Sequence, residues 1–133
     1  MELQVLIKVN EKLYLRNPAE SELGRKIVHH SVELIHTIGF ESFTFKKLAE
    51  DIGTTEAGIY RYFSNKHRLL MYLVNWYWSW LEYQLMFAIN NLTDPELKLR
   101  RIIHLLVSED TKDLGNDLMN RKKLYEIVNV EGV

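Results

Sequence analysis

The stretch GFESFTFKKLAEDIGTTEAGIYRYFSNKHRLL, residues 39–70, decides the fold of this 133-residue chain. Thr44 can cap the run FKKLAEDI, and Gly53 can supply the positive φ of the turn that follows it. Thr54 or Thr55 can then cap a third run, EAGIYRYF. Two short capped runs joined by a glycine turn predict a helix-turn-helix unit. Its small core would consist of Leu48, Ala49, Ile52, Ile59 and Phe63.

Further helices are predicted on both sides of this unit. Residues 18–38 have apolar side chains at helical spacing, and no helix breaker interrupts the run from Ser64 to about residue 91. A proline opens a fifth helix over residues 95–107, and residues 118–130 predict a sixth. The segment LQVLIKVN, residues 3–10, could be a short strand or an extended arm. The fold class is therefore all-α.

The composition limits the classes of function. A hydrophobic share of 47% and a charged share of 26% are typical of a globular domain, and the net charge of −1 provides no overall basic field. The chain has no cysteine, which excludes thiolate zinc sites and disulfide scaffolds. The longest apolar stretch, residues 69–81, is interrupted by Asn75 and Ser79 and is too short to cross a bilayer. We therefore expect a soluble cytoplasmic protein with no membrane partner.

The chain contains no motif that indicates an enzyme. The metalloprotease HExxH pattern, the P-loop, the dinucleotide fingerprint and the nucleophile elbow are all absent from the sequence. His29, Glu33 and His36 recur at helical spacing, but three weak ligands on a solvated helix face do not predict a metal site. We expect neither catalysis, nor a metal, nor a cofactor.

The central stretch resembles the DNA-binding domain of the TetR family of bacterial transcriptional regulators. The resemblance rests on a Gly-Phe helix end, a Thr-capped second helix, a third helix finishing Tyr-Arg-Tyr-Phe, and a Ser-Asn-Lys turn into a long helix. It extends from Gly24 to about Tyr72. It implies an N-terminal arm over residues 1–17, a three-helix DNA-binding domain over 18–66, and a long linking helix with a partial helical regulatory and dimerisation region over 67–133.

The resemblance also implies which residues meet DNA. The third helix would enter the major groove, with Ile59 and Phe63 facing inward and Tyr60 and Tyr62 facing outward. The implied phosphate contacts are Thr44, Thr55, Tyr60, Tyr62 and Lys66. The candidates for contacts with base edges are Glu56, Ala57, Gly58 and Arg61.

Alternatives remain for several of these side chains. Glu56 could accept a hydrogen bond from cytosine, or it could simply be an acid that interacts with the helix dipole. Tyr60 and Tyr62 could merely cover apolar surface. Residues 20–70 contain seven basic and seven acidic side chains, so we expect affinity to depend on a few placed cations and nonspecific binding to be weak.

A second conspicuous stretch is NWYWSWLEYQLMF, residues 75–87. Its aromatic residues at helical spacing could line an inducer pocket, or they could be core packing between the two halves of the chain. The candidate ligand-binding residues are Trp76, Trp80, Tyr83 and Phe87.

The predicted function is that of a sequence-specific regulator, a repressor that binds a palindromic operator in double-stranded DNA as a homodimer. The resemblance implies a small-molecule effector, which the sequence does not identify. The alternative is an α-helical protein-interaction module that keeps the helix-turn-helix as a scaffold. TetR-like regulators are usually longer, so we expect a fragment of a longer regulator, with a reduced relative as the alternative.

Overall fold

The structure is a computed structural model that describes residues 9–107 and 120–131. Within those two ranges the chain forms six α-helices and no β-strand, which confirms the all-α prediction. Two short 3-10 helices, Glu11–Leu13 and Pro18–Glu20, precede them. The α-helices are α1 Glu22–Ile38, α2 Phe45–Ile52, α3 Glu56–Tyr60, α4 Lys66–Ile89, α5 Pro95–Val107 and α6 Arg121–Glu131. Most of the segment predicted as a strand or arm, residues 3–8, lies outside the described ranges.

The first helix begins later than the sequence pattern predicts. Asn17 caps only the 3-10 turn of Pro18–Glu20, where its side chain accepts a hydrogen bond from the Ala19 amide. The chain is then extended at Ser21, and the Ser21 hydroxyl accepts from the Gly24 amide at 2.9 Å to open α1. Two caps in succession let the 3-10 turn fold back onto the first turn of α1.

Gly24 is required where that 3-10 turn crosses α1. A Cβ at this position would lie 2.3 Å from the carbonyl oxygen of Pro18 and 2.5 Å from its Cα. Both are backbone atoms, so a neighbouring side chain cannot move aside to make room. The crossing therefore depends on a residue without a side chain.

Gly24→Ala is expected to lower the free energy of unfolding by about 1–3 kcal/mol, the usual effect of overpacking. At an unobstructed helical site the same substitution would stabilise the chain by about 1 kcal/mol, so the sign of the change tests the crossing. Urea denaturation measures it, with the exposed Lys26→Ala on the same helix as the control. A Gly24→Ala variant as stable as the wild type would contradict the close approach.

The turn between α2 and α3 has the predicted form. Gly53 adopts φ 83° and ψ 35°, a left-handed conformation that a glycine takes without strain. Thr44 caps α2, and Thr55 rather than Thr54 caps α3. The predicted core residues Leu48, Ala49, Ile59 and Phe63 are buried, and Ile52 packs against them from a partly buried position.

Helix α4 leads out of this unit, and α6 packs back onto it. Asn65 caps α4, one residue after the predicted Ser64, and the helix ends at Ile89. The buried face of α6, formed by Leu124, Ile127 and Val128, contacts both α1 and α4. Among the described residues, no helix has the length and apolar character needed to cross a membrane.

Candidate nucleic-acid interface

The exposed surface of α3 is formed by only part of the predicted set. Glu56, Ala57 and Arg61 are exposed, so three of the four candidates for base contact are accessible. Gly58, the fourth, is buried, and its predicted position on the accessible face is wrong. A Cβ there would lie 3.1 Å from the Thr54 hydroxyl oxygen, because this side of α3 faces the turn that precedes it.

Tyr60 lies beside these residues and is held by α2. Its ring meets the ring of Phe45 edge to face, with the centroids 5.0 Å apart. The side chain nevertheless remains 47% exposed. One face of α2 therefore fixes the ring of Tyr60 while leaving nearly half of the side chain accessible at the surface of α3.

Tyr62 does not face outward, which corrects the prediction. Its side chain is only 2% exposed, and its hydroxyl forms a hydrogen bond of 2.6 Å with the Ser21 hydroxyl. The physical reason is that α3 ends at Tyr60, so Tyr62 lies in the turn after the helix and its direction does not follow helical spacing. The guanidinium of Arg16 covers the ring at 5.4 Å from the centroid.

Thr44 and Thr55 occupy equivalent positions at the starts of α2 and α3. The Thr44 hydroxyl accepts from the Lys47 amide, and the Thr55 hydroxyl accepts from the Gly58 amide, each at 3.1 Å. A hydroxyl that accepts through its oxygen keeps its own hydrogen for a further partner. Both side chains are exposed, so each could cap its helix and donate to a phosphate at the same time.

Lys66 is committed to the protein's own backbone. Its ammonium donates to the carbonyl oxygens of Phe40, Glu41 and Phe43 at 2.9, 3.2 and 3.0 Å. It also lies 4.6 Å from the centre of the Phe40 ring. These three bonds use all three hydrogens of a lysine ammonium, so a phosphate contact would have to replace one of them.

One cation that the predicted set omits is Lys46. It is exposed in the first turn of α2, two residues after Thr44. The sequence signal for this residue is the Lys-Lys pair that follows Phe45. Helical periodicity assigns both lysines to the solvated side of α2. The position of Lys46 beside an exposed threonine makes it a candidate for phosphate contact.

Lys66→Met is expected to lower the free energy of unfolding by about 1–3 kcal/mol, because it removes the donor to three carbonyl oxygens, of which only that of Phe40 keeps a bond, from the Phe43 amide. Lys46→Met is the matched control, since it removes an exposed lysine from the neighbouring helix, and we expect a change within about 0.5 kcal/mol. Urea denaturation of both variants tests the assignment. Equal stabilities would show that the Lys66 bonds contribute nothing to the folded state.

The four aromatic residues predicted to bind a ligand lie in two different environments. Trp80 is buried, with the guanidinium of Arg121 5.0 Å from its ring centroid, and Trp76 is partly buried. Tyr83 and Phe87 stack on each other with centroids 6.4 Å apart, and both are exposed. The stripe therefore passes from buried to exposed positions along α4.

Arg121 is a residue that the sequence pattern did not identify. It is buried at the start of α6, although it carries a charge. Tyr77 lies one turn before Trp80 and within 6.1 Å of both the Trp80 and Tyr125 rings. Desolvation raises the pKa of the Tyr77 hydroxyl, with a further contribution from Tyr125, and favours its neutral form.

Two of the three possible metal ligands on α1, Glu33 and His36, contact α6. Glu33 forms an ion pair with Lys123, and His36 hydrogen-bonds to the carboxylate of Glu126. No group of three or more potential metal ligands occurs among residues 9–107 and 120–131. These side chains link α1 to α6.

Comparison with known proteins finds one matching family and one similar relative. Residues 27–73, which run from α1 to the first turns of α4, match the family described as bacterial regulatory proteins, tetR family. The chain is also 31% identical over 83 residues to the nucleoid occlusion factor SlmA of Vibrio campbellii (strain ATCC BAA-1116). That alignment covers 59% of this chain and 40% of the relative, so the chain spans less than half of the relative's length. No solved structure matches the chain significantly.

Proposed function

We propose that this chain, a member of the tetR family of bacterial regulatory proteins through residues 27–73, represses transcription by binding a palindromic operator as a homodimer. The family consists of regulatory proteins, and we propose no catalytic activity. Residues 18–66 would be the DNA-binding domain, preceded by an arm over 1–17. Residues 67–133 would supply regulation and dimerisation.

The observation that supports this proposal most directly is the exposed surface shared by α2 and α3. Exposed side chains occur at Glu56, Ala57 and Tyr60 of α3 and at Arg61 directly after it. Ile59, on the other side of the helix, is buried. Thr44 and Thr55 are exposed at the two helix starts that flank this surface. A major groove admits one helix, and hydroxyls at either side of it suit the phosphates of the two strands.

The roles within this surface follow from the chemistry of each group. Arg61 can donate two hydrogen bonds to a guanine, and Glu56 can accept from the amino group of cytosine. Ala57 permits close approach or contact with a thymine methyl group. Thr44, Thr55, Tyr60 and Lys46 would hold phosphates without reading the sequence.

Arg61→Ala is expected to weaken binding to the operator by about 1–3 kcal/mol and to reduce the preference for guanine at the contacted position. Tyr60→Phe removes only a phosphate donor, so it should weaken binding to operator and unrelated DNA alike. Fluorescence anisotropy with labelled duplexes over a range of salt concentrations measures both effects.

The operator for these assays is obtained by selecting the bound fragments from the source genome. Lys122→Ala is a suitable control, because this exposed residue lies on α6. A chain that binds no duplex even at low salt would refute the DNA-binding proposal. It would favour the protein-interaction module instead.

The homodimer gives a separate prediction about stoichiometry. A palindromic operator presents two identical half-sites about one helical turn apart, and each needs its own recognition helix. Native mass spectrometry should therefore find two chains on the full operator, and also two on an isolated half-site, where the dimer leaves one recognition helix unoccupied. A single chain on the full operator would contradict the proposed dimer.

We propose that an effector acts through α4, whose aromatic residues Trp76, Trp80, Tyr83 and Phe87 are candidates for its contacts. Of these residues, Trp80 lies beneath the guanidinium of Arg121, whereas Tyr83 and Phe87 stack on each other at the surface. A shift of α4 would change the separation of the two recognition helices in the dimer and hence their fit to successive grooves.

The similarity to a nucleoid occlusion factor supports a second candidate function, an action on the nucleoid rather than on one promoter. The two candidates differ in the number of genomic binding sites. A regulator of one operon needs one or a few sites, whereas a factor acting on the nucleoid needs sites distributed along the chromosome. Chromatin immunoprecipitation of the bound DNA distinguishes them by this number.

A further inference from the structure

We infer that Tyr62 is a positioning residue for sequence recognition, which sets the direction of α3 and makes no contact with DNA. The inference rests on the proposed function, because the consequence of that direction is the fit of α3 to its operator. It assigns to Tyr62 a role different from the phosphate contact that the sequence pattern implies.

The hydroxyl of Tyr62 joins the end of α3 to the start of α1. It forms a hydrogen bond of 2.6 Å with the Ser21 hydroxyl, whose oxygen also accepts from the Gly24 amide as the cap of α1. The two residues are 41 positions apart in the chain. A single side-chain bond therefore connects the turn after the recognition helix to the cap of the longest helix in the DNA-binding unit.

Other contacts hold Tyr62 from different directions. Its carbonyl oxygen accepts from the Leu15 amide at 2.8 Å, and its own amide donates to the Ile59 carbonyl at 2.9 Å. The guanidinium of Arg16 covers the ring. The segment that precedes α1 thus contacts Tyr62 through three residues, Leu15, Arg16 and Ser21.

Helix α3 needs such a tether because it is short. Five residues form barely more than one turn, and a helix of this length has no stability of its own. Its direction must come from its contacts, among them the Thr55 cap at its start, the buried Ile59 and the Tyr60–Phe45 ring pair toward its end, and Tyr62 just beyond it. Arg61 immediately precedes Tyr62, so any movement of Tyr62 moves the guanidinium proposed to read a base.

The accessible surface argues against a direct contact with DNA. The side chain is 2% exposed, whereas Tyr60 is 47% exposed. To reach a phosphate, the Tyr62 hydroxyl would have to break its bond with Ser21 and leave the space beneath Arg16. The two tyrosines therefore have different tasks: Tyr60 touches the phosphate backbone, and Tyr62 fixes the helix.

Tyr62→Phe tests this division, because it removes the hydroxyl and keeps the ring. We expect affinity for the selected operator to fall roughly three- to tenfold, the effect of one lost hydrogen bond. Affinity for unrelated duplex should stay unchanged, so the ratio of the two affinities falls by the same factor. Anisotropy titrations are run at a temperature at which circular dichroism shows every variant to be folded.

Tyr77→Phe is the matched control, because Tyr77 is a buried tyrosine of α4 and lies outside the recognition unit, which consists of α2, α3 and the turn between them. Amide hydrogen exchange supplies a readout that does not involve DNA. Exchange in the peptide that contains α3 should be faster in Tyr62→Phe and unchanged in Tyr77→Phe, since only the former removes the tether.

A double-mutant cycle with Ser21→Gly tests the bond itself. Glycine retains much of the capping ability of serine, so the effect on α1 should be small. If the bond carries the effect, the double variant loses no more of the affinity ratio than the Tyr62→Phe variant alone. Independent, additive losses would overturn the role assigned to the Ser21–Tyr62 bond.

Two other outcomes would overturn the inference. Equal losses on operator and unrelated DNA would make Tyr62 a phosphate contact, and a lower melting temperature with unchanged affinity ratio and exchange would make it only a stabilising residue. A wild-type chain that binds no DNA would refute the proposed function instead. The exchange comparison alone would then decide whether Tyr62 tethers α3.

Discussion

The ammonium of Lys66 lies at the point where α1, α2 and α4 meet. Carbonyl oxygens just beyond a helix end have no partner within the helix, and this one side chain satisfies those of Phe40, Glu41 and Phe43. Thr44, the cap of α2, follows directly, so the bonds to Lys66 hold the segment that leads into α2. The first turn of the long helix α4 therefore holds the start of the helix on which α3 packs.

The recognition unit gains its order from outside rather than from helix propensity. Helix α3 has five residues, and three side chains in it or just after it meet different neighbours. Phe45 of α2 holds the ring of Tyr60, the core holds Ile59, and the segment before α1 holds Tyr62. Because the net charge of the chain is −1, we expect its affinity for DNA to depend on the placement of a few groups, with weak nonspecific binding.

Local signals made much of the fold predictable. Thr44 as a cap, Gly53 in a left-handed turn and Pro95 at a helix start each depend on neighbours in the chain, and the structure has all three elements. Helical spacing misplaces Tyr62, because this residue lies past the end of α3. It misplaces Gly58, because spacing does not show which side of the helix faces the preceding turn. The partner of Tyr62 is 41 residues away, and no local pattern identifies it. The exposure of Phe87 likewise depends on which helices pack on α4, and helical spacing does not show this. The base contacts, dimer and effector remain predictions.

The position of α6 across both α1 and α4 has a thermodynamic consequence. Its apolar side chains and its pairs with Glu33 and His36 join the helix that leads to the recognition unit with the helix that carries Trp80. If an effector weakens DNA binding by disturbing this packing, DNA must weaken effector binding by the same factor, because linkage is reciprocal. Such coupling is typically about 1–3 kcal/mol, which is within what a few buried apolar side chains contribute. Weaker packing of α6 would therefore be enough to couple effector binding to DNA binding, without a large movement of any helix.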